Sequence, residues 1–210
     1  MAGRVIDISQ TLRPALPVWP GDTAFKLERT WHIEPGCPVN VSRLTLSTHS
    51  GAHADAPLHY DENGKTIDQV DPAIYVGRCF VFDVREARDA VRPEHFELSR
   101  AEGAERILFR TFESFPHDRW VSDYAAIAPE TIDLLAASGA QLVGMDGPSL
   151  DPETSKTLDA HNAVRRAGMA ILEGLVLDDI PQGHYELIAA PLKIEGADAA
   201  PVRALLREIG

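Results

Sequence analysis

The stretch Thr48-His49-Ser50-Gly51-Ala52-His53-Ala54-Asp55-Ala56-Pro57-Leu58-His59 packs three imidazoles and a carboxylate into eleven residues, His49 to His59, separated almost entirely by Ser, Gly and Ala. Imidazole nitrogens and carboxylate oxygens are ligands of first-row metals. Small spacers let the backbone come close to an ion, and Gly51 can take angles closed to other residues. The bland alternative makes His49 and His53 one face of a surface helix. Gly51 and Pro57 oppose it, since both disfavour a helix interior. No Glu follows His49, so this is not the helical H-E-x-x-H pair of a protease. The spacing H-x3-H-x-D-x3-H therefore points to metal binding.

Upstream, residues 39–48 alternate, with Leu44 and Leu46 on one face and Arg43, Thr45 and Ser47 on the other. That pattern predicts a half-buried strand leading into the metal segment. Apolar, β-branched runs predict further strands over 5–8, 25–33, 78–84, 106–111, 141–145, 169–172 and 185–194. Helices are expected over 93–100 and 129–137, each opening on Pro, and over 155–167 and 201–208. The helix at 129–137 has helical spacing at Ile132, Leu135 and Ala136 and stops before Gly139. With no repeat or low-complexity linker, the expectation is one mixed, strand-rich α/β domain over 1–210, its loops carrying the chemistry.

The formal net charge of −12 argues against a nucleic-acid partner, which would require a basic face. Two cysteines, Cys37 and Cys79, make no disulfide framework and suggest a reducing compartment. The N-terminal residues lack the apolar core of a secretory signal. Glu173 interrupts the apolar run 169–177, which is too short to cross a bilayer. The expectation is a soluble, cytoplasmic protein with no membrane partner.

Three clustered ligands rarely complete a site, so later segments should add more. His161 lies in Leu158-Asp159-Ala160-His161-Asn162. Glu173 is a lone carboxylate in Ala170-Ile171-Leu172-Glu173-Gly174. An ionised Glu among apolar neighbours is costly unless paired or bound to a cation; the alternative is that it reaches solvent from a strand end.

The H-x-G-x-H-x-D-x-P-x-H segment resembles the signature of the cyclase-type metal-dependent hydrolases. The fuller set resembles one branch of them, the bacterial kynurenine formamidases (arylformamidases). Its supporting blocks occur in order along nearly the whole chain: Pro17-Val18-Trp19-Pro20-Gly21-Asp22, the segment from Ala52 to Tyr60, and Val143-Gly144-Met145-Asp146-Gly147-Pro148-Ser149-Leu150-Asp151-Pro152. Leu158-Asp159-Ala160-His161, Ile171-Leu172-Glu173-Gly174-Leu175, Tyr185-Glu186-Leu187-Ile188 and the stretch from Pro191 to Arg203 follow. Two departures are Ala52, where the broader pattern has Thr, and Asn162, where a second His is common.

The resemblance implies the swivelling β/β/α fold type and a two-metal site, with zinc favoured and Mn²⁺ tolerated by the same donors. It implies that His49, His53 and Asp55 hold the first ion and His161 and Glu173 the second, Asp55 and Glu173 touching both. The implied reaction is hydrolysis of N-formyl-L-kynurenine to L-kynurenine and formate in tryptophan degradation, by water activated at the metals. His59 is the candidate proton shuttle, with a role as a further ligand as the competing reading. Trp19 is implied as the platform for the substrate's ring. The family resemblance also implies a homodimer.

His32, His95, His117 and His184 read as ordinary surface or strand residues, and Asp146 and Ser149 as the wall of a loop. Arg165, Arg166 and Lys193 are cations that could attract the substrate carboxylate, though solvated surface suits all three. Opening of a cyclic amide such as isatin is a neighbouring activity. A non-catalytic metal-binding protein is the competing class, which retention of His59 and Trp19 disfavours.

Overall fold

A computed structural model of the chain describes residues 3–209. In chain order its elements are β1 (Val5–Asp7), β2 (Lys26–Trp31), β3 (Val41–Thr45), β4 (His53–Asp55), β5 (Val76–Asp83), β6 (Ala90–Val91), β7 (Arg106–Arg110) and β8 (Ala126–Ile127). They continue with α1 (Pro129–Ala137), β9 (Leu142–Met145), α2 (Asp159–Ala167), β10 (Ala170–Glu173), β11 (Gly183–Ile188), β12 (Ala199–Pro201) and β13 (Leu205–Glu208).

β5, β7, β9 and β10 lie side by side in parallel. Their near-continuous apolar sequences suit strands covered on both faces. Phe80, Phe82, Ile107, Phe109, Val143 and Ile171 pack on one side against Ile132 and Leu135 of α1 and Ala160, Ala163 and Val164 of α2. Val81, Leu108, Leu142 and Leu172 face the other way, into a second core with Ala54, Leu187, Ala200 and Leu206.

These strands are the middle of a nine-stranded sheet ordered β1-β13-β11-β5-β7-β9-β10-β4-β12. β12 is one edge and β13 is next to the other, yet only residues 202–204 separate them in sequence. The sheet must curl to bring its ends together, and a bridge between Pro191 and Val202 ties that seam. The second core fills the curl. Among the described residues no helix is long and apolar enough to cross a membrane.

Several expectations need correction. Residues 93–100 form two short 3₁₀ turns, Pro93–His95 and Leu98–Ala101, rather than a helix. Residues 201–208 carry β13, not a helix: Leu205–Glu208 pairs antiparallel with both β1 and β11, and those ladders override a local pattern that reads as helical. α2 begins at Asp159, four residues after the expected start at 155, and the strand expected over 185–194 ends at Ile188. β3 is not half-buried; it pairs only with β2, and both strands of this hairpin are exposed throughout. It also stops at Thr45, so turns and bends rather than strand lead to His53.

Candidate metal centre

β4 lies between β10 and β12, paired antiparallel with each. The register sets Glu173 opposite His53 and Ile171 opposite Asp55. Alternation along β4 sends His53 and Asp55 to one face and Ala54 to the core. Glu173, the last residue of β10, is 3% exposed, so it does not escape to solvent. The segments after β10 and before β4 approach closely because both carry glycine. Gly51 and Gly174 have φ of +68° and +65°, and a Cβ on Gly174 would lie 2.6 Å from the Gly51 carbonyl oxygen.

The structure brings His49, His53, Asp55, His161 and Glu173 together. Asp55 Oδ1 lies 3.1 Å from His49 Nδ1 and 3.4 Å from His53 Nε2, while Oδ2 lies 3.3 Å from His161 Nε2. Glu173 repeats this division: Oε2 is 3.4 Å from His53 Nε2 and Oε1 is 3.6 Å from His161 Nε2. Each carboxylate thus offers one oxygen toward His53 and the other toward His161. One donor set draws ligand atoms of His53, Asp55 and Glu173 within 4.8 Å of one another, and a second does so for His49, Asp55 and His59.

Each buried imidazole is oriented by its other nitrogen. His53 Nδ1 pairs with the Gly51 carbonyl oxygen at 2.9 Å, leaving Nε2 aimed at the carboxylates. His161 Nδ1 sits 2.6 Å from Asp151 Oδ2. Asp151 also accepts from the backbone N–H groups of Ala160 and His161. Leu158 precedes α2 with φ of +50° and has no side chain to cap it, so Asp151 supplies the cap from outside the helix. One carboxylate therefore fixes both the helix start and the ring that α2 presents. His49 Nε2 is held 3.0 Å from Asp198 Oδ2, and His59 Nδ1 is 3.6 Å from the same oxygen.

The donor set fits divalent cations. Among the described residues buried His53 Nε2 has no hydrogen-bond partner, although it faces the shared centre. Such orphans are costly unless something else satisfies them. The local charges agree. Burial works against the Asp55 carboxylate, yet His161 and His49 beside it hold its pKa well below the usual range. Burial by itself would lower the two imidazoles. The carboxylates of Asp55 and Asp198 push His49 up to about 9, and those of Asp151 and Asp55 push His161 up to about 10. The concentrated negative charge that retains these protons also attracts a cation, which must displace them to bind.

Above the cluster opens a cavity of about 300 Å³, lined by His49, His53, His59, His161, Glu173, Trp19 and Trp120 among others. The Trp19 and Trp120 rings meet edge to face with centroids 5.4 Å apart. Trp120 donates its indole N–H to Glu153 Oε2 at 2.7 Å. Ser149 lines the cavity, whereas Asp146 is buried and accepts from Thr111 and Phe112. Arg165 and Arg166 pair with Asp61 and Asp133, and neither lines the cavity, nor does exposed Lys193. His32, His117 and His184 are exposed, and His95 Nδ1 accepts from the Arg92 backbone N–H. Sequence reasoning missed Asp151, Asp198 and Trp120. Asp151 stood within a quoted motif, and its spacing before His161 was the available signal.

Known proteins resemble this chain throughout its length. A family model described as "Putative cyclase" matches residues 6–152. The kynurenine formamidase of Maricaulis maris is 58% identical over 203 residues, covering 97% of each chain. That of Erythrobacter litoralis is 54% identical over 206 residues, covering 98% of this chain and 94% of the relative. Among solved structures, a potential metal-dependent hydrolase with cyclase activity superposes with a TM-score of 0.82 at 31% identity, covering 98% of this chain and 99% of the other. Isatin hydrolase A of Labrenzia aggregata gives a TM-score of 0.81 at 25% identity, covering 97% and 93%.

Proposed function

We infer the activity from the fact that this chain belongs to the cyclase family, with kynurenine formamidases as relatives at 54–58% identity: it hydrolyses N-formyl-L-kynurenine to L-kynurenine and formate. The observation that carries the reading is the two-sided donor set. Asp55 and Glu173 each divide their oxygens between His53 and His161 at the floor of an aromatic-walled cavity.

In this reading His49, His53 and Asp55 would hold one ion and His161 and Glu173 a second, with Asp55 and Glu173 able to serve either. Zinc is the ion assigned, two per subunit, with Mn²⁺ accepting the same donors. Such ions, when bound, polarise the formyl carbonyl and make water a usable nucleophile near neutral pH.

The chain's own residues supply the rest. His59 is exposed at the cavity, its ring centroid 4.3 Å from that of His49 and 5.8 Å from that of His161. From there it delivers a proton to the departing aryl nitrogen, which leaves poorly as an anion. Asp198, near both His49 and His59, holds the two rings in relation to each other. Trp19 offers its indole to the substrate's ring. The protein acts as a single catalytic domain in a cytoplasmic homodimer within tryptophan degradation.

A specific observation favours a second role for His59: its ligand nitrogen stands within 4.8 Å of a ring nitrogen of His49 and a carboxylate oxygen of Asp55, which suits metal binding. Metal content of a His59 variant separates the two. The activity itself is tested by metal quantification together with hydrolysis of N-formylkynurenine before and after chelation. Formate release that stops on chelation and returns with zinc is expected. Cleavage of isatin with no action on the linear formamide would replace this reading with a cyclic-amide hydrolase. A full metal complement with no amidase activity on either would favour a non-catalytic metal-binding protein.

A further inference from the structure

We propose that Arg119 binds the α-carboxylate of the substrate and so determines that the enzyme takes a formylated amino acid rather than any aryl formamide. The inference rests on the formamidase reading and assigns the far end of the same site.

A recess of about 50 Å³ adjoins the main cavity, the two sharing Gln10, Pro17, Trp120, Pro148 and Gly174, and Asp146 as well as Arg119 lines the recess. Among the described residues Arg119 is the one Lys or Arg that lines either space. With the formyl group at the histidine and carboxylate cluster and the ring against Trp19, the keto-bearing amino-acid chain has to leave the ring somewhere. Trp120 closes the cavity edge-on to Trp19 and is common to both spaces, so a chain passing it reaches the recess. The group at the end of that chain is a carboxylate, and guanidinium is its matched two-pronged donor.

The loop carrying Arg119 is braced along its length. Asp146 accepts from the backbone N–H groups of Thr111 and Phe112, and Asp178 from that of Phe115. Arg13 donates to the His117 carbonyl oxygen, and Trp120 is tied to Glu153. Of the loop's other charges, Glu113 pairs with Arg85, His117 with Asp178 and Asp118 with Arg13, while Asp123, like Arg119, has no ion-pair partner among the described residues. Among the described residues Arg119 has no ion-pair partner, in a chain of net charge −12. Arg119 is exposed, and a cation left unmatched beside an aromatic cavity is free to meet an anionic ligand group. The three cations singled out in the sequence lack this placement, since Arg165 and Arg166 are paired and Lys193 lines neither space.

The test compares N-formyl-L-kynurenine with 2-formamidoacetophenone, which keeps the ring, ketone and formamide and lacks the amino-acid end. In Arg119→Gln the ratio of kcat/KM for the first substrate over the second should fall about ten- to a hundredfold. The affinity for L-kynurenine relative to 2-aminoacetophenone, followed by tryptophan fluorescence, should fall with it. Unchanged ratios in a variant that melts like wild type would overturn the assignment, as would equal losses on both substrates. A wild-type chain that leaves both formamides intact would instead overturn the formamidase reading and remove the premise on which Arg119 is assigned.

Discussion

Glu173 stands directly across an antiparallel ladder from His53, and its Oε2 lies 3.4 Å from the imidazole Nε2. The ladder thereby fixes two donors contributed by strands more than a hundred residues apart in sequence. Glu173 Oε1 also accepts from the Leu150 backbone N–H at 2.7 Å, which locks the carboxylate's direction. Two buried carboxylates held this near each other repel, and the imidazoles around them offset only part of that cost.

A cation at this centre should therefore stabilise the fold as well as serve the reaction. Extensive chelation is expected to lower the melting temperature, and added zinc to restore it. The gain follows mass action, about 4 kcal/mol when free metal reaches a thousand times its Kd. Differential scanning fluorimetry against a zinc series measures this. Identical melting curves with and without metal would show that the cluster holds none.

Asp151 both caps α2 and orients the His161 ring, so removing its charge should be felt twice. Asp151→Ala is expected to weaken metal binding by about 10–100-fold and to cost about 1 kcal/mol of stability through the helix terminus. Competition with a calibrated chelator gives the first figure and urea unfolding the second. Stability lost without any change in metal affinity would reduce Asp151 to a helix cap.

Which parts of this were legible beforehand follows from where the information lies. Donor type and small spacers were local, so His49, His53 and Asp55 could be read from one stretch. Glu173 could be singled out because charge inside an apolar run is a local anomaly. α1 was found because Pro129 and Gly139 mark its ends. β13 was misread because its fate is decided by strands outside its own window: Leu206 pairs with Ile6, at the opposite end of the chain, and with Leu187. Asp198 sits in a polar loop like many others, and only folding places it beside His49 and His59. The hairpin of β2 and β3 kept its alternation, but nothing local says whether an apolar face will find cover.

If His59 moves protons without holding metal, His59→Ala should retain a full metal complement and lose about 10²–10⁴-fold in kcat. Atomic absorption on the purified variant, set beside formate release, separates the roles. Loss of one ion along with activity would place His59 among the ligands with His49 and Asp55.

Asp146, which lines the recess beside Arg119, offers a pH signature of its own. Burial pushes its carboxyl up to about 6 against an ordinary value of 3.8, although Thr111 and Phe112 donate to it. A raised folded-state pKa means that the native chain keeps a proton the unfolded chain has already released. Asp146 accordingly disfavours the fold progressively as pH rises from about 4 to 6, by on the order of 1–3 kcal/mol in total. Asp146→Asn cannot titrate and keeps an acceptor for Thr111. Urea unfolding should show the stability of Asp146→Asn minus that of wild type climbing across this interval, then levelling near neutrality. A difference that stays flat, or falls as pH rises, would mean that the donors around Asp146 hold it ionised despite its burial. The loop bearing Trp120 and Arg119 would then be braced by a charge at every pH in that range.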